Sequence, residues 1–157
     1  MRDTLSTSIL EMPPPSVWGP PLWKVLHGIG YMTAKGLPSL HKDSERECIW
    51  LVTHMEYIIP CRECIAHFFA YKQKNHIPKV YTNIGEWLCG LHNSVNEKLG
   101  KEVVSYSPEQ ESASDVKGDW LLYLESIKDS LRLGLVAGDK LREFSRHMLL
   151  WQQYTLQ

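Results

Sequence analysis

The sequence lacks the features that mark a membrane, secreted or nucleic-acid-binding protein. Its 157 residues contain no apolar run close to the ~20 residues that cross a bilayer, and residues 1–15 lack the apolar centre of a secretory signal. Lys and Arg number 17 against 18 Asp and Glu, without a basic block. Neither nucleic acid nor a membrane surface is therefore an expected partner. We expect a soluble, cytoplasmic, single-domain protein with a substantial core.

Cysteine is also scarce. Only Cys48, Cys61, Cys64 and Cys89 are present, too few and too widely spread for the disulfide framework of a small secreted fold. Two of them belong to the motif PCREC at residues 60–64. Thiols at this spacing can close a small disulfide ring and cycle between thiol and disulfide. The motif therefore favours redox chemistry or metal binding.

Strand patterns are nearly missing, apart from a possible short run at 102–106, whereas apolar residues recur at helical spacing along most of the chain. The sequence therefore predicts an all-α protein. Residues 1–15 end in three prolines and are expected to be extended, and residues 102–119 are expected to form a linker. Six helices are predicted. The first begins at Gly19, has Pro20 and Pro21 in its first turn, and ends before Gly36 and Pro38; the second covers residues 40–59; and the third runs from the CxxC motif to a break at 75–78. The fourth runs from residue 83 to Gly100, the fifth covers 120–131, and the sixth follows a break at 134–138 and ends at about residue 151.

The helix predicted to end at Gly100 carries two neighbouring stripes. One is polar, because Cys89, His92, Asn93 and Asn96 follow each other at i, i+3, i+4 and i+7. The other is apolar and suits a core. A polar stripe beside a core stripe is typical of a helix that holds a flat polar ligand against a neighbouring helix.

Several motifs follow one another over residues 16–106. They are Trp18-Gly19, Trp23, Leu26-His27, PCREC at 60–64, and WLCGLHNSVNEKLGK at 87–101. In these motifs the chain resembles the Erv/ALR family of FAD-dependent sulfhydryl oxidases. The resemblance implies a four-helix bundle that holds FAD at its mouth, usually as a homodimer. It also implies an enzyme that oxidises thiols to disulfides and reduces O2 to H2O2.

The resemblance also implies roles for individual residues. Cys61 corresponds to the outer cysteine, which a substrate thiolate attacks, and Cys64 corresponds to the cysteine next to the flavin. His and Asn side chains can hydrogen-bond the rings of FAD, and the two lysines can neutralise its pyrophosphate. The expected FAD-binding residues are Gly19, Trp23, His27, Tyr31, Cys89, His92, Asn93, Asn96, Lys98 and Lys101.

The chain departs from the family pattern in three ways. In cellular members the cysteine at the position of Cys89 bonds a partner whose place here is near Tyr106, so Cys89 is expected to stay reduced or to pair with Cys48. The accessory shuttle CxxC is missing, which implies that a substrate or relay protein approaches Cys61 directly. Residues 107–157 form a linker and a helical extension beyond the oxidase domain at 16–106. In lacking both accessory disulfides the chain is similar to the compact members of the family that large DNA viruses encode, which act in the host cytoplasm or the virion.

One alternative stays open at this point. Cys61, Cys64, Cys89 and His92 offer three thiols and an imidazole with spacings that suit structural zinc, in which case the protein would be a non-enzymatic interaction module. The oxidase interpretation predicts no metal. A thioredoxin-like protein is excluded because no βαβ pattern surrounds the CxxC motif.

Overall fold

The computed structural model describes residues 13–35, 41–107 and 115–155. Within these ranges all regular structure is helical, and the predicted all-α class is confirmed. Two short 3-10 turns, Met55–Tyr57 and Tyr81–Asn83, stand between helices. The helices are α1 (Pro15–Ala34), α2 (His41–Thr53), α3 (Arg62–Lys74), α4 (Ile84–Lys98), α5 (Val116–Ser126), α6 (Lys128–Arg132) and α7 (Gly138–Thr155).

Helix α1 begins at Pro15, one turn before the predicted start at Gly19. Proline is well tolerated at the first helical position, where the missing N–H has no partner in any case. Pro20 and Pro21 therefore lie inside the helix. Trp18 is 5% exposed and fixes the first turn to the core. Apolar burial thus outweighs the helix-breaking tendency of the prolines; the predicted stop at Gly36 and Pro38 lies outside the described residues.

Helix α2 ends at Thr53, although the pattern predicts a helix to residue 59. His54 has φ −112° and ψ 28°, outside the helical region. Its Nδ1 hydrogen-bonds the carbonyl oxygen of Trp50 at 2.7 Å, which satisfies a terminal carbonyl group. The apolar rhythm continues through the 3-10 turn, and Met55 and Ile58 are buried there. The spacing of apolar residues alone could therefore not distinguish the end of α2 from the 3-10 turn that follows it.

Helices α3 and α4 begin where the sequence predicts. The CxxC motif opens α3, and α4 starts after Asn83. Gly100 has φ +70°, and the N–H of Lys101 reaches the carbonyl oxygen of Asn96 at 2.8 Å. A glycine with positive φ is a common end signal for a helix, as predicted.

The segment after α4 differs from the prediction at both ends. Residues 101–107 form no strand, because both backbone groups of Val104 bond to the side chain of Asn93 and not to another strand. The predicted linker at 102–119 is wrong from residue 116 onward. Asp115 caps α5 by accepting a hydrogen bond from the N–H of Gly118 at 3.0 Å, a helix-start signal that was readable in the sequence. The predicted fifth helix is also split at Ile127, where ψ is 8°.

The last helices belong to the same core as the first four. Helix α5 packs against α1, and α7 packs against α2. The Tyr123 hydroxyl of α5 donates to the carbonyl oxygen of Ile58, and Thr155 of α7 lies 2.6 Å from the Ser44 hydroxyl of α2. The boundary at residue 107 between an oxidase domain and an extension stays a prediction. In the part of the chain that the structure describes, no helix is both long enough and apolar enough to span a bilayer.

Candidate active site

The two cysteines of the CxxC motif stand at the start of α3. Cys61 is the N-cap residue with an extended backbone, and its sulfur accepts a hydrogen bond from the N–H of Cys64 at 3.3 Å. Both residues are half-buried and are present as thiols. A helix start brings the two side chains together because the cap residue folds back over the first turn.

Ionisation of the inner cysteine is less favourable than its position suggests. The sequence places both thiols where a helix N-terminus stabilises a thiolate. However, burial raises the pKa of Cys64 to about 12, and contact with Cys61 and the negative charge of Glu63 add to the rise. The positive charge of Lys98 opposes it. Desolvation therefore opposes the favourable effect of the helix start at this thiol.

Helices α1 and α4 cross through two glycines. A Cβ atom built on Gly30 would lie 2.9 Å from the Cα of Gly85, so the backbones touch and no larger residue fits at either position. Trp23 lies seven residues before Gly30, and His92 lies seven residues after Gly85. The two helices run antiparallel at this contact. Two turns toward the N-terminus of α1 and two turns toward the C-terminus of α4 therefore lead to the same place, where these two side chains meet.

Three rings meet beside this crossing. The rings of Trp23 and His92 stack with centroids 4.0 Å apart and an interplanar angle of 8°. His27 lies one turn along α1 from Trp23, and its Nε2 is 2.9 Å from Nδ1 of His92. The structure thus brings together three of the predicted FAD-binding residues. We call Trp23, His27 and His92 the Trp23 cluster.

Both imidazoles of the Trp23 cluster are biased toward the neutral form. Burial lowers the pKa of His27. Burial, and then the nearby His27 and Lys101, lower the pKa of His92 to about 4. At neutral pH the pair therefore forms a neutral hydrogen-bonding surface, and the effect on His92 shows that Lys101 is close to it.

The side chain of Asn93 has a different environment. Its amide nitrogen donates to the carbonyl oxygen of Val104 at 2.6 Å, and its oxygen accepts from the N–H of Val104 at 2.9 Å. The Cys89 sulfur lies 3.7 Å from the same carbonyl oxygen. Cys89 and Cys48 are not joined to each other. The amide pair thus fixes the segment after α4 against that helix.

The other predicted cofactor residues lie on the same two helices, except Lys101, which follows the end of α4. Gly19 and Tyr31 lie four residues before Trp23 and four residues after His27, so they share the α1 face of the Trp23 cluster. Lys35 lies 4.2 Å from the ring centroid of Tyr31. On α4, Asn96 is 8% exposed.

Lys98 has an electrostatic role that the sequence did not suggest. It is exposed and was expected to contact a pyrophosphate. Burial raises the pKa of Cys64 and lowers that of His67, and the positive charge of Lys98 opposes the first shift and adds to the second. The Nε2 of His67 is 2.5 Å from the Ser94 hydroxyl of α4. Lys98 therefore lies close to the CxxC helix. Sequence spacing could not show this, because the effect depends on how α3 packs against α4.

The zinc alternative receives no support. Among the described residues, no group of three or more His, Cys, Asp or Glu side chains could hold a metal ion. The imidazole of His92 stacks on Trp23, and the Cys89 sulfur contacts Val104 and Asn93. The four residues have suitable spacing in sequence, but two of them contact other groups.

The fold and site define an all-helical protein with a dithiol at one helix start and a stacked ring cluster between two other helices. The model of the Erv1 / Alr family matches residues 20–120. The chain belongs to the Erv1 / Alr family. The predicted membership is thereby confirmed.

Relatives occur in viruses and in cells. The "FAD-linked sulfhydryl oxidase" of African swine fever virus (isolate Warthog/Namibia/Wart80/1980) is 33% identical over 95 residues, which cover 57% of this chain and 74% of the relative. The "Mitochondrial FAD-linked sulfhydryl oxidase ERV1" of Saccharomyces cerevisiae is 31% identical over 101 residues, covering 61% of this chain and 51% of the relative. The "FAD-linked sulfhydryl oxidase ERV1" of Arabidopsis thaliana is 32% identical over 82 residues, covering 52% and 41%. No solved structure gives a significant match.

Proposed function

We propose that the protein is an FAD-dependent thiol oxidase that forms disulfides in its substrate. The observation that carries the proposal is the pair at the start of α3, where the sulfur of Cys61 lies 3.3 Å from the backbone nitrogen of Cys64. Two half-buried thiols held in one turn can close a disulfide and remain accessible to a partner. Membership of the Erv1 / Alr family and the names of its relatives support the same activity.

The two cysteines have different tasks in this proposal. A substrate thiolate attacks the sulfur of Cys61 in the oxidised pair, and Cys64 leaves as a thiolate. A leaving thiol departs faster when its pKa is lower, and the charge of Lys98 acts in that direction on Cys64. The N–H of Cys64 points at the Cys61 sulfur and stabilises negative charge there when the mixed disulfide is resolved.

The residues around the Trp23 cluster fit FAD. The flat rings of Trp23, His27 and His92 suit a planar group, and both imidazoles are biased toward the neutral form. Lys101 is exposed near His92 and can contact a pyrophosphate, and the buried amide of Asn96 offers a polar group. When bound, FAD supplies a two-electron acceptor that reacts with O2. Roles for Gly19, Tyr31, Cys89, Asn93 and Lys98 in holding it belong to the same proposal.

The experiment that tests the function uses the purified full chain. We expect a yellow protein with flavin absorbance that consumes O2 and releases H2O2 when dithiothreitol is added. An oxygen electrode measures the O2 that is consumed, and a peroxide assay measures the H2O2 that is formed. Protein that binds no flavin and consumes no oxygen after incubation with FAD would contradict the proposal.

The wider setting is part of the proposal. The substrate is a thiol-containing protein or a relay protein, because Cys61 is accessible and the sequence has no second CxxC motif. We expect a homodimer that acts in the cytoplasm, or in the host cytoplasm and virion if the gene is viral, as the similarity to the African swine fever virus protein suggests. Light scattering of the flavin-loaded protein tests the dimer.

A further inference from the structure

A groove opens directly beside the reacting sulfur. Its volume is about 460 Å³, within the range of about 300–1,000 Å³ usual for binding pockets. We call it the Cys61 groove. Its walls include Pro13, Pro15, Trp18, Pro60, Cys61 and Leu135.

One wall of the Cys61 groove comes from the C-terminal part of the chain. After α6, Gly134 has φ +77°, a conformation that glycine adopts without strain. The N–H of Leu135 then reaches the carbonyl oxygen of Ser130 at 2.9 Å, closing a helix-end motif. The next residue, Val136, is 3% exposed. The turn is therefore fixed on both sides, and it holds Leu135 in the groove wall.

The chemistry of the walls favours an apolar occupant. Pro13, Pro15 and Pro60 have no backbone N–H, so these positions cannot donate hydrogen bonds to the backbone of a bound strand. At these walls the interaction on offer is the packing of side chains against the proline rings, Trp18 and Leu135.

The charges at the groove point to a partner that is not selected by charge. Arg62 and Glu63 also line it, and both are exposed. One positive and one negative side chain side by side attract neither an acidic nor a basic segment overall. The groove is also continuous with the one contact that the proposed reaction requires, since Cys61 is part of its wall.

We propose that the Cys61 groove binds an extended segment of the substrate protein in which the reacting cysteine is flanked by apolar side chains, and that Leu135 determines this preference. The inference rests on the proposed function. The substrate thiolate forms an S–S bond with Cys61 while the Cys61–Cys64 bond breaks. A second substrate thiolate then attacks the substrate sulfur of the mixed disulfide. The substrate leaves as a disulfide, and the enzyme pair keeps both electrons as two thiols.

The test compares two synthetic dithiol peptides on the FAD-loaded full chain. Both have the same Cys-Ser-Ser-Cys centre; one has Leu and Val on both sides, and the other has Ser and Asn. We expect kcat/KM to be about tenfold higher for the apolar peptide, which corresponds to about 1.4 kcal/mol. In Leu135→Asn this ratio should fall to about one, and in Leu135→Met it should return. Because the ratio compares two substrates on one preparation, partial loss of folded enzyme does not change it.

Leu149→Asn is the matched control. Leu149 is 55% exposed on α7, so the same change there should keep the tenfold ratio. A ratio near one in the wild type would overturn the proposal, and would result if another part of this chain or a second copy covered the groove. A ratio that survives in Leu135→Asn, or is lost in Leu149→Asn, would also overturn it. If the wild type oxidises neither peptide nor dithiothreitol with flavin bound, the proposed function itself is refuted.

Discussion

Two ring clusters in this protein have the same local pattern but different hydrogen bonds. Trp23 on α1 and Trp50 on α2 are each followed four residues later by a histidine, and each indole also stacks on an imidazole of a distant helix. That imidazole is His92 for Trp23, with centroids 4.0 Å apart, and His147 for Trp50, at 3.6 Å. We call Trp50, His54 and His147 the Trp50 cluster.

The difference lies in what the imidazoles contact. In the Trp50 cluster, His147 donates to the buried carboxylate of Glu47 at 2.5 Å, and His54 hydrogen-bonds a helix carbonyl. In the Trp23 cluster, His27 and His92 bond to each other. Removing the partner of a buried carboxylate destabilises the folded protein. The Trp23 cluster contains no carboxylate, and its imidazoles are biased toward the neutral form. The Trp50 cluster therefore stabilises the packing of α2 against α7, and our proposal gives the Trp23 cluster to the cofactor.

The largest expected effect is the difference in oxidase activity between variants of Cys64, at the start of α3, and of Cys48, near the Trp50 cluster. Cys64→Ser should reduce dithiothreitol oxidation to background, because no disulfide can form with Cys61, and flavin absorbance should be retained. Cys48 lies on α2 near the Trp50 cluster and is fully buried. Cys48→Ala should keep turnover and lower the free energy of unfolding by about 1 kcal/mol. Retained oxidase activity in Cys64→Ser would refute its assigned role.

The second prediction compares the distant histidines. His147→Ala leaves the Glu47 carboxylate, 5% exposed, without its closest hydrogen-bond partner. We expect a loss of about 2 kcal/mol in unfolding free energy and an unchanged flavin content per folded molecule. His92→Ala should instead weaken FAD binding about tenfold, measured by flavin release on dilution. Reversed results for the two variants would show that the clusters have been assigned the wrong way round.

The third prediction concerns exposed lysines near each cluster. Lys101→Ala should weaken FAD binding several-fold and reduce its salt dependence, because one charge near a phosphate contributes about 1 kcal/mol in low salt. Lys140, whose Nζ lies 3.4 Å from the Tyr57 hydroxyl, serves as the control, and Lys140→Ala should change neither quantity. Equal FAD affinity in wild type and Lys101→Ala would exclude the pyrophosphate contact.

The last prediction concerns the pH dependence of stability. The pKa of His92 falls from its ordinary value near 6.5 to about 4 in the folded state. Between these values the unfolded chain binds a proton that the folded chain does not, so stability rises with pH across this window. The melting temperature should therefore drop as the pH is lowered from 7 to 4. The slope should be shallower in His92→Gln than in His147→Gln, and a steeper slope would contradict the burial argument.

Much of the site could be predicted because its signals are local in sequence. The start of α3 at the CxxC motif and the end of α4 at Gly100 follow from turn and capping chemistry. The i, i+4 spacing of Trp23 and His27 places them on one face without any knowledge of the fold. The start of α1 could not be read in this way, because the burial of Trp18 overrides the signal of Pro20 and Pro21.

Contacts between distant segments were the part that sequence reasoning missed. Asn93, a predicted cofactor residue, also bonds both backbone groups of Val104 with its side-chain amide. Lys98, another predicted cofactor residue, also opposes the rise in the pKa of Cys64. Leu135 had no assignment, and it lines a groove with Cys61. Each contact joins residues far apart in the chain, for which the spacing of a single helix carries no information.

The sequence by itself determined the helical class, the dithiol at a helix start and the family, because capping, periodicity and motif spacing act within a few turns of chain. Only the tertiary structure decided which of two similar Trp–His patterns surrounds a buried carboxylate and which pairs its own imidazoles. That decision depends on the glycine crossing of α1 with α4 and on the packing of α2 against α7. Close packing selects one partner helix for each pattern, and the partner determines the chemistry.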